Sequence, residues 1–73
     1  MEPTDSQIGI LYKWISWKLP REEAVAATHW IKNNATRKEV SAEVSRVHDL
    51  YYHNKLNKET LYDSDIWKGF DHD

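Results

Sequence analysis

Apolar residues recur at intervals of three and four between Thr36 and Tyr52. This spacing gathers side chains on one side of an α-helix. Thr36 and Glu39 have the spacing of a capping box, and Ala35 and Val40 can add a hydrophobic staple before the first turn. The pattern predicts a helix over residues 36–54 with one buried stripe. That stripe consists of Val40, Val44, Val47 and Tyr51.

Residues 7–18 are apolar on nearly every side. One helical stripe contains Ile8, Leu11, Tyr12, Ile15 and Leu19, and a second contains Ile10, Trp14 and Trp17. An alternating strand is the competing interpretation, but neither of its faces would be polar. We therefore predict a helix that is covered on two sides or leaves its second stripe for a partner. Pro20 ends this helix and can begin the next one.

The second helix is predicted over residues 20–33. Glu22 and Glu23 in its first turn and Lys32 near its end suit the helix dipole. Asn33 can end it. A narrow face of small residues, which lets another helix approach closely, is formed by Ala24, Ala27, Thr28 and Ile31.

These elements predict an all-α fold, a compact three-helix domain with a short fourth helix or turn near the C-terminus. The expected organisation is a flexible N-terminus at 1–6, with Asp5 or Ser6 as the first cap, a helical domain at 7–62 and an acidic aromatic tail at 63–73. Aspartate at Val44 is expected to unfold the domain. The predicted core comprises Leu11, Ile15, Ile31, Val40, Val44, Val47 and Tyr51.

The last fifteen residues combine acidic and aromatic side chains. Residues 59–73 contain five acidic residues and one lysine. This composition is typical of segments that fold onto a partner. Alternatively, Tyr62, Ile66 and Phe70 are spaced by four and could form a short closing helix that seals the core. Trp67 belongs to the same segment.

Composition limits the class of protein. Seventy-three residues allow one domain, and the absence of cysteine excludes disulfides and thiolate metal sites. The N-terminal residues lack the positive charge of a signal peptide, and no apolar run could span a membrane. We therefore expect a cytoplasmic protein, in the host cytoplasm if it is viral. Four Trp and four Tyr serve equally well as core residues and as interface anchors.

Residues that could support catalysis or hold a cofactor are few. Two glycines cannot build a phosphate-binding loop. Histidines stand at 29, 48, 53 and 72, and the five-residue interval between His48 and His53 does not suit two ligands on one helix. We expect neither an enzyme nor a bound metal or cofactor.

DNA binding is the alternative function. The second and third helices could form a helix-turn-helix with Arg37, Lys38 and Arg46 facing DNA. These residues and Glu43 lie off the predicted apolar stripe and should remain in water. Residues 36–58 contain five basic and three acidic residues, and the whole chain has a net charge of −2. Such a weakly basic surface argues against direct nucleic-acid binding.

Residues Thr36 to Phe70 resemble the C-terminal half of the Hha/YmoA family of helical nucleoid modulators. The resemblance rests on the capping box, on Asn57-Lys58, on Leu61-Tyr62-Asp63 and on Ile66-Trp67-Lys68. In size and tryptophan content the chain is also similar to small phage proteins that bind host RNA polymerase. Both resemblances imply a regulator of transcription that acts by binding protein. The expected partner-binding residues are Ile10, Trp14, Trp17, Tyr62, Ile66, Trp67 and Phe70.

Overall fold

The computed structural model describes residues 1–71, which form only helices and turns. The helices are α1 (Asp5–Ile15), α2 (Arg21–Asn34), α3 (Arg37–Tyr52) and the single-turn α4 (Lys58–Leu61). A 3₁₀ turn follows at Asp65–Trp67. This architecture confirms the predicted all-α fold with three long helices and a short fourth element.

Capping boxes set the beginnings of α1 and α3. Thr36 and Glu39 form the predicted box, with the Glu39 carboxylate 2.8 Å from the Thr36 amide. At α1 the capping residue is Thr4, not Asp5 or Ser6: its hydroxyl accepts from the Gln7 amide, and the Gln7 side chain accepts from the Thr4 amide. The helix therefore begins two residues earlier than predicted. It ends at Ile15, and residues 16–18 form a turn.

The first residues of the chain are attached to α3. The amide of Arg37 donates to the carbonyl of Met1 at 2.8 Å, and the Arg37 guanidinium donates to the carbonyl of Glu2. Pro3 is buried. The segment at 1–6, for which flexibility is expected, therefore contacts the start of α3 in the structure.

Helices α1 and α3 run parallel, and α2 runs antiparallel to both. Near the start of α1, Gln7 donates to the carbonyl of Arg37, and near its end Trp14 contacts Tyr51. Lys32, in the last turn of α2, is 3.6 Å from Asp5 at the start of α1. The N-terminal ends of α1 and α3 therefore lie side by side, and so do their C-terminal ends.

The three long helices enclose most of the predicted core. Five of its seven predicted residues are fully buried. Val44 is only half-buried, so an aspartate there could reach water and is no longer expected to unfold the domain. Tyr51 is 39% exposed, and its ring packs against Trp14 and Trp17 at the surface, outside the core. Buried residues that the prediction did not place in the core are Pro3, Leu19, Ala24, Ala27, Thr28, Glu43, Leu56, Leu61 and Trp67.

The C-terminal segment, residues 57–70, packs on α2 and α3. Trp67 is 3% exposed and stacks on Trp30 of α2, and Phe70 contacts both rings. Tyr62 meets Trp67 edge to face. The segment therefore seals the core, although by a 3₁₀ turn instead of a closing helix. Of the separate tail expected at 63–73, residues 63–70 belong to the helical domain, and residues 72–73 lie outside the described part of the chain.

Glu43 holds this segment through a buried hydrogen-bond network. Its side chain is 3% exposed, and its carboxylate accepts from the Arg46 guanidinium, from the Ser64 hydroxyl and from Trp67 Nε1 at 2.7 Å. Arg46 also donates to the backbone carbonyls of Thr60 and Leu61. The expectation that Glu43 and Arg46 remain in water is therefore wrong. Their burial is tolerated because each polar atom has a partner.

A second carboxylate, Glu23 of α2, also anchors the segment. The Tyr62 hydroxyl donates to Glu23 at 2.6 Å, and Lys58 pairs with the same side chain at 3.2 Å. Burial raises the pKa of Tyr62 well above its usual range, and the hydrogen bond to the charged Glu23 raises that pKa further.

We expect this tyrosine to titrate only when the protein unfolds. Because its pKa is higher in the folded protein, its contribution to stability is complete below the usual tyrosine pKa of about 10 and is lost as the pH rises above that value. Absorbance at 295 nm should show a delayed tyrosine ionisation step that coincides with loss of the helical signal. In Tyr62→Phe the delayed step should disappear. A delayed step that persists in this variant would contradict the assignment.

Candidate partner-binding face

Five aromatic side chains from α1, the turn after it and α3 form one cluster on the surface. We call this cluster the aromatic face; it consists of Trp14, Trp17, His48, Tyr51 and Tyr52. Trp14 lies at its centre, with ring centroids 4.9 Å from Tyr51, 5.3 Å from His48 and 5.6 Å from Trp17. Most of the rings meet at tilted or edge-to-face angles, which are the favourable geometries for aromatic pairs. The cluster is therefore preorganised.

The parallel arrangement of α1 and α3 creates this cluster. Trp14 lies near the end of α1, and Trp17 lies three residues later in the turn that follows it. His48, Tyr51 and Tyr52 have the matching three-and-four spacing on α3. Because both helices run in the same direction, their C-terminal turns lie side by side. The aromatic side chains of one helix therefore meet those of the other.

A large part of the aromatic face is open to solvent. Tyr52 is 77% exposed and Trp17 is 53% exposed, and Ile10, one turn before Trp14, is 46% exposed. At about 150 to 250 Å² for each large aromatic side chain, the exposed apolar area is on the order of 400 Å². This is the size of the largest apolar patch on a typical monomer, and patches of this size often bind other molecules.

Basic residues surround the aromatic face. Lys13 lies one turn from both Ile10 and Trp17 on α1, Lys18 follows Trp17, and Lys55 lies just beyond the end of α3; all three are exposed. The acidic neighbour is Asp49, whose carboxylate is 3.9 Å from His48 Nδ1. The border of this face therefore has a net positive charge.

A shallow depression continues from the aromatic face toward the N-terminal ends of the same two helices. Short side chains, Ser41, Ala42 and Ser45, leave room along α3. Arg37 and Lys38 lie at its far end, and Met1 and Gln7 form the opposite side. The aromatic face and this depression together form the α1/α3 groove, which is apolar at one end and basic at the other.

The structure brings together only some of the predicted partner-binding residues. Ile10, Trp14 and Trp17 lie on one surface. Trp67 is buried, which corrects its assignment as an exposed anchor. The other three residues of that group are half-buried and pack against the core: Tyr62, Ile66 and Phe70.

Three residues of the aromatic face were not predicted as binding residues. Tyr51 was placed in the core, and His48 and Tyr52 had no assigned role. Their spacing on α3 could have indicated a second aromatic stripe. Its juxtaposition with the stripe of α1 could not be inferred, because it depends on the parallel packing.

The three basic residues of the DNA-binding alternative do not form one surface. Arg37 and Lys38 lie in the first turn of α3 and are exposed. Arg46 points to the other side of α3, where it binds Glu43 and the carbonyls of the C-terminal segment. If α3 were the recognition helix of a helix-turn-helix, it would therefore lack one of its three proposed DNA contacts.

Within residues 1–71, no group of three or more His, Asp or Glu side chains is placed to hold a metal ion. His72, the fourth histidine, lies outside the described residues. None of the helices in the described chain is long and apolar enough to cross a membrane.

Comparison with protein-family models, curated proteins and solved structures finds no match to this chain.

Proposed function

We propose that this chain is a small protein-binding regulator of transcription that occupies a surface on bacterial RNA polymerase through its aromatic face. The main support is a single observation: an ordered cluster of large rings remains half-exposed on a domain whose core is otherwise closed. Tryptophan and tyrosine in such clusters are the commonest anchors of protein interfaces. The choice of polymerase as partner rests on resemblance in size and composition.

The size of the aromatic face is consistent with this role. A standard interface buries about 800 Å² on each partner, and its binding energy is concentrated in a central group of aromatic residues. The exposed aromatic area is about half that value, so the face could form the centre of an interface, with the basic residues around it as the polar rim.

The test is binding to purified bacterial RNA polymerase and inhibition of transcription in vitro. We expect the double variant Trp17→Ala/Tyr52→Ala to weaken binding by at least about 30-fold, because truncation of a hot-spot residue typically costs about 2 kcal/mol or more. The helical circular dichroism spectrum should not change, because both side chains are largely exposed.

Val25→Ala is the matched control. Val25 is 49% exposed on α2 and lies away from the aromatic face. This variant should bind like the wild type. Equal binding by wild type and the double variant would exclude the aromatic face as the contact surface. In a parallel pull-down from bacterial lysate, retention that disappears after nuclease treatment would support the DNA-binding alternative, and capture of a nucleoid protein instead of polymerase would support the Hha-like one.

A further inference from the structure

The α1/α3 groove has the length and shape of a site for a helix. Helix α3 has 16 residues, and at a rise of about 1.5 Å for each residue it is about 24 Å long. The short side chains of Ser41 and Ser45 leave room in one half of the groove. Ile10 and Trp17 supply exposed apolar surface in the other half. An apolar strip between two parallel helices is the kind of surface into which an amphipathic helix places its own apolar side.

The charge around the groove defines the chemistry of the helix that would fit. Exposed basic residues border it on both sides, and the nearby acidic residues are fewer: Glu2, Glu39 and Asp49. The basic residues are Lys13, Lys18, Arg37, Lys38 and Lys55. The exposed acidic residues of the C-terminal segment pack with that segment on the other side of α3, away from the groove: Glu59, Asp63 and Asp65. An acidic partner is therefore attracted to the groove.

Two other occupants fit these observations less well. A second copy of the chain, docked symmetrically through the same groove, would bring Lys13 and Lys38 close to their own equivalents, and such contacts between like charges are unfavourable. A single nucleic-acid strand needs ring faces on which bases can stack, but the rings of the aromatic face are already packed against one another.

The geometry points to the α1/α3 groove as a binding site for an amphipathic helix of a partner protein, with large apolar residues on one side and acidic residues along its borders. The apolar side of that helix contacts Ile10, Trp17 and Tyr52. Its acidic residues pair with Lys13 beside the aromatic face and with Lys38 at the basic end. This inference deepens the proposed function and rests on it, because it specifies which structural element of a partner the face recognises.

The experiment uses a displayed library of helix-forming peptides about 16 residues long, the number that spans the groove. Apolar residues are fixed at helical spacing, and the bordering positions are randomised among Glu, Gln and Lys. Selection on the wild-type protein is followed by removal of peptides that also bind Trp17→Ala/Tyr52→Ala. We expect Glu to be enriched and Lys depleted at the bordering positions.

The charge contacts are then measured with the best selected peptide. Replacing its Glu residues with Gln should weaken binding by about tenfold at low salt, and the difference should shrink at about 0.5 M salt, where screening is strong. Lys13→Glu/Lys38→Glu should reverse the preference toward Lys. Lys68→Glu is the control, because Lys68 is an exposed residue of the C-terminal segment. This variant should leave the preference for Glu over Lys unchanged.

Several results would overturn the inference: enrichment of Gln or Lys, failure to select any peptide that depends on Trp17 and Tyr52, tighter binding of a thymidine oligonucleotide than of the selected peptide, or self-association abolished by the double variant. The proposed function fails separately. If polymerase binding depends on Trp17 but the library shows no acidic preference, only the inference is wrong. If acidic peptides are selected but polymerase is not bound, only the choice of partner is wrong.

Discussion

Replacing Trp67 with alanine should lower the free energy of unfolding by about 3 to 5 kcal/mol, the usual cost of truncating a buried aromatic residue. Trp67 is 3% exposed, contacts Trp30, Tyr62 and Phe70, and donates its indole N–H to Glu43. Truncation would therefore create a cavity and remove a hydrogen bond from a buried carboxylate. This loss is comparable with the total stability expected of a domain of this size.

Trp17→Ala is the matched control, because it makes the same chemical change at a residue that is 53% exposed. Urea denaturation followed by circular dichroism at 222 nm would compare the two variants. We expect Trp17→Ala to lose less than about 1.5 kcal/mol, since its ring contacts only Trp14 and Tyr51 among the described aromatic residues. Equal losses in the two variants would show that the C-terminal segment is not part of the core.

Glu43→Leu should destabilise the domain by about 3 kcal/mol, at the lower end of the range for breaking a buried ion pair. The change leaves the Arg46 guanidinium without its carboxylate and leaves Trp67 Nε1 without an acceptor. The Arg46 side chain is 29% exposed, so water can solvate part of its charge and limit the loss.

The double variant Glu43→Leu/Arg46→Met should recover part of this stability, because replacing both members of a buried pair with apolar residues is often neutral or favourable. Glu59→Leu, at an exposed position of α4, is the control and should change stability by less than about 0.5 kcal/mol. Denaturation midpoints of the wild type, Glu43→Leu, Arg46→Met and the double variant complete the cycle. A double variant that is less stable than Glu43→Leu would mean that Arg46 holds the C-terminal segment through the carbonyls alone.

Local patterns in the sequence were sufficient to predict the three long helices and most of the core. The capping box at Thr36 and the spacing of Val40 and Val47 depend only on neighbours along the chain. The same local signal is present at Thr4 and Gln7, where it marks the true start of α1, two residues before the predicted one. The start of α1 was therefore predictable.

Features that depend on long-range packing could not be predicted. Glu43 lies three residues after Val40 and four before Val47, so helical spacing alone places it near the buried side. A charge there is stable only with Trp67, which lies 24 residues away in the chain. The sequence contains no sign of that contact. The aromatic face could likewise not be inferred, because the direction of α3 relative to α1 is a property of the tertiary fold.

The four tryptophans occupy two separate places in this fold. Trp14 and Trp17 lie together on the aromatic face, and Trp30 and Trp67 stack where the C-terminal segment meets α2. The protein thus contains two built-in fluorescent reporters that need no label. Emission from the first pair should respond to a ligand in the α1/α3 groove, and emission from the second should shift to the red when the C-terminal segment detaches and water reaches the rings. Trp14→Phe/Trp17→Phe would keep the second pair alone and would therefore report detachment of the C-terminal segment without a signal from the groove.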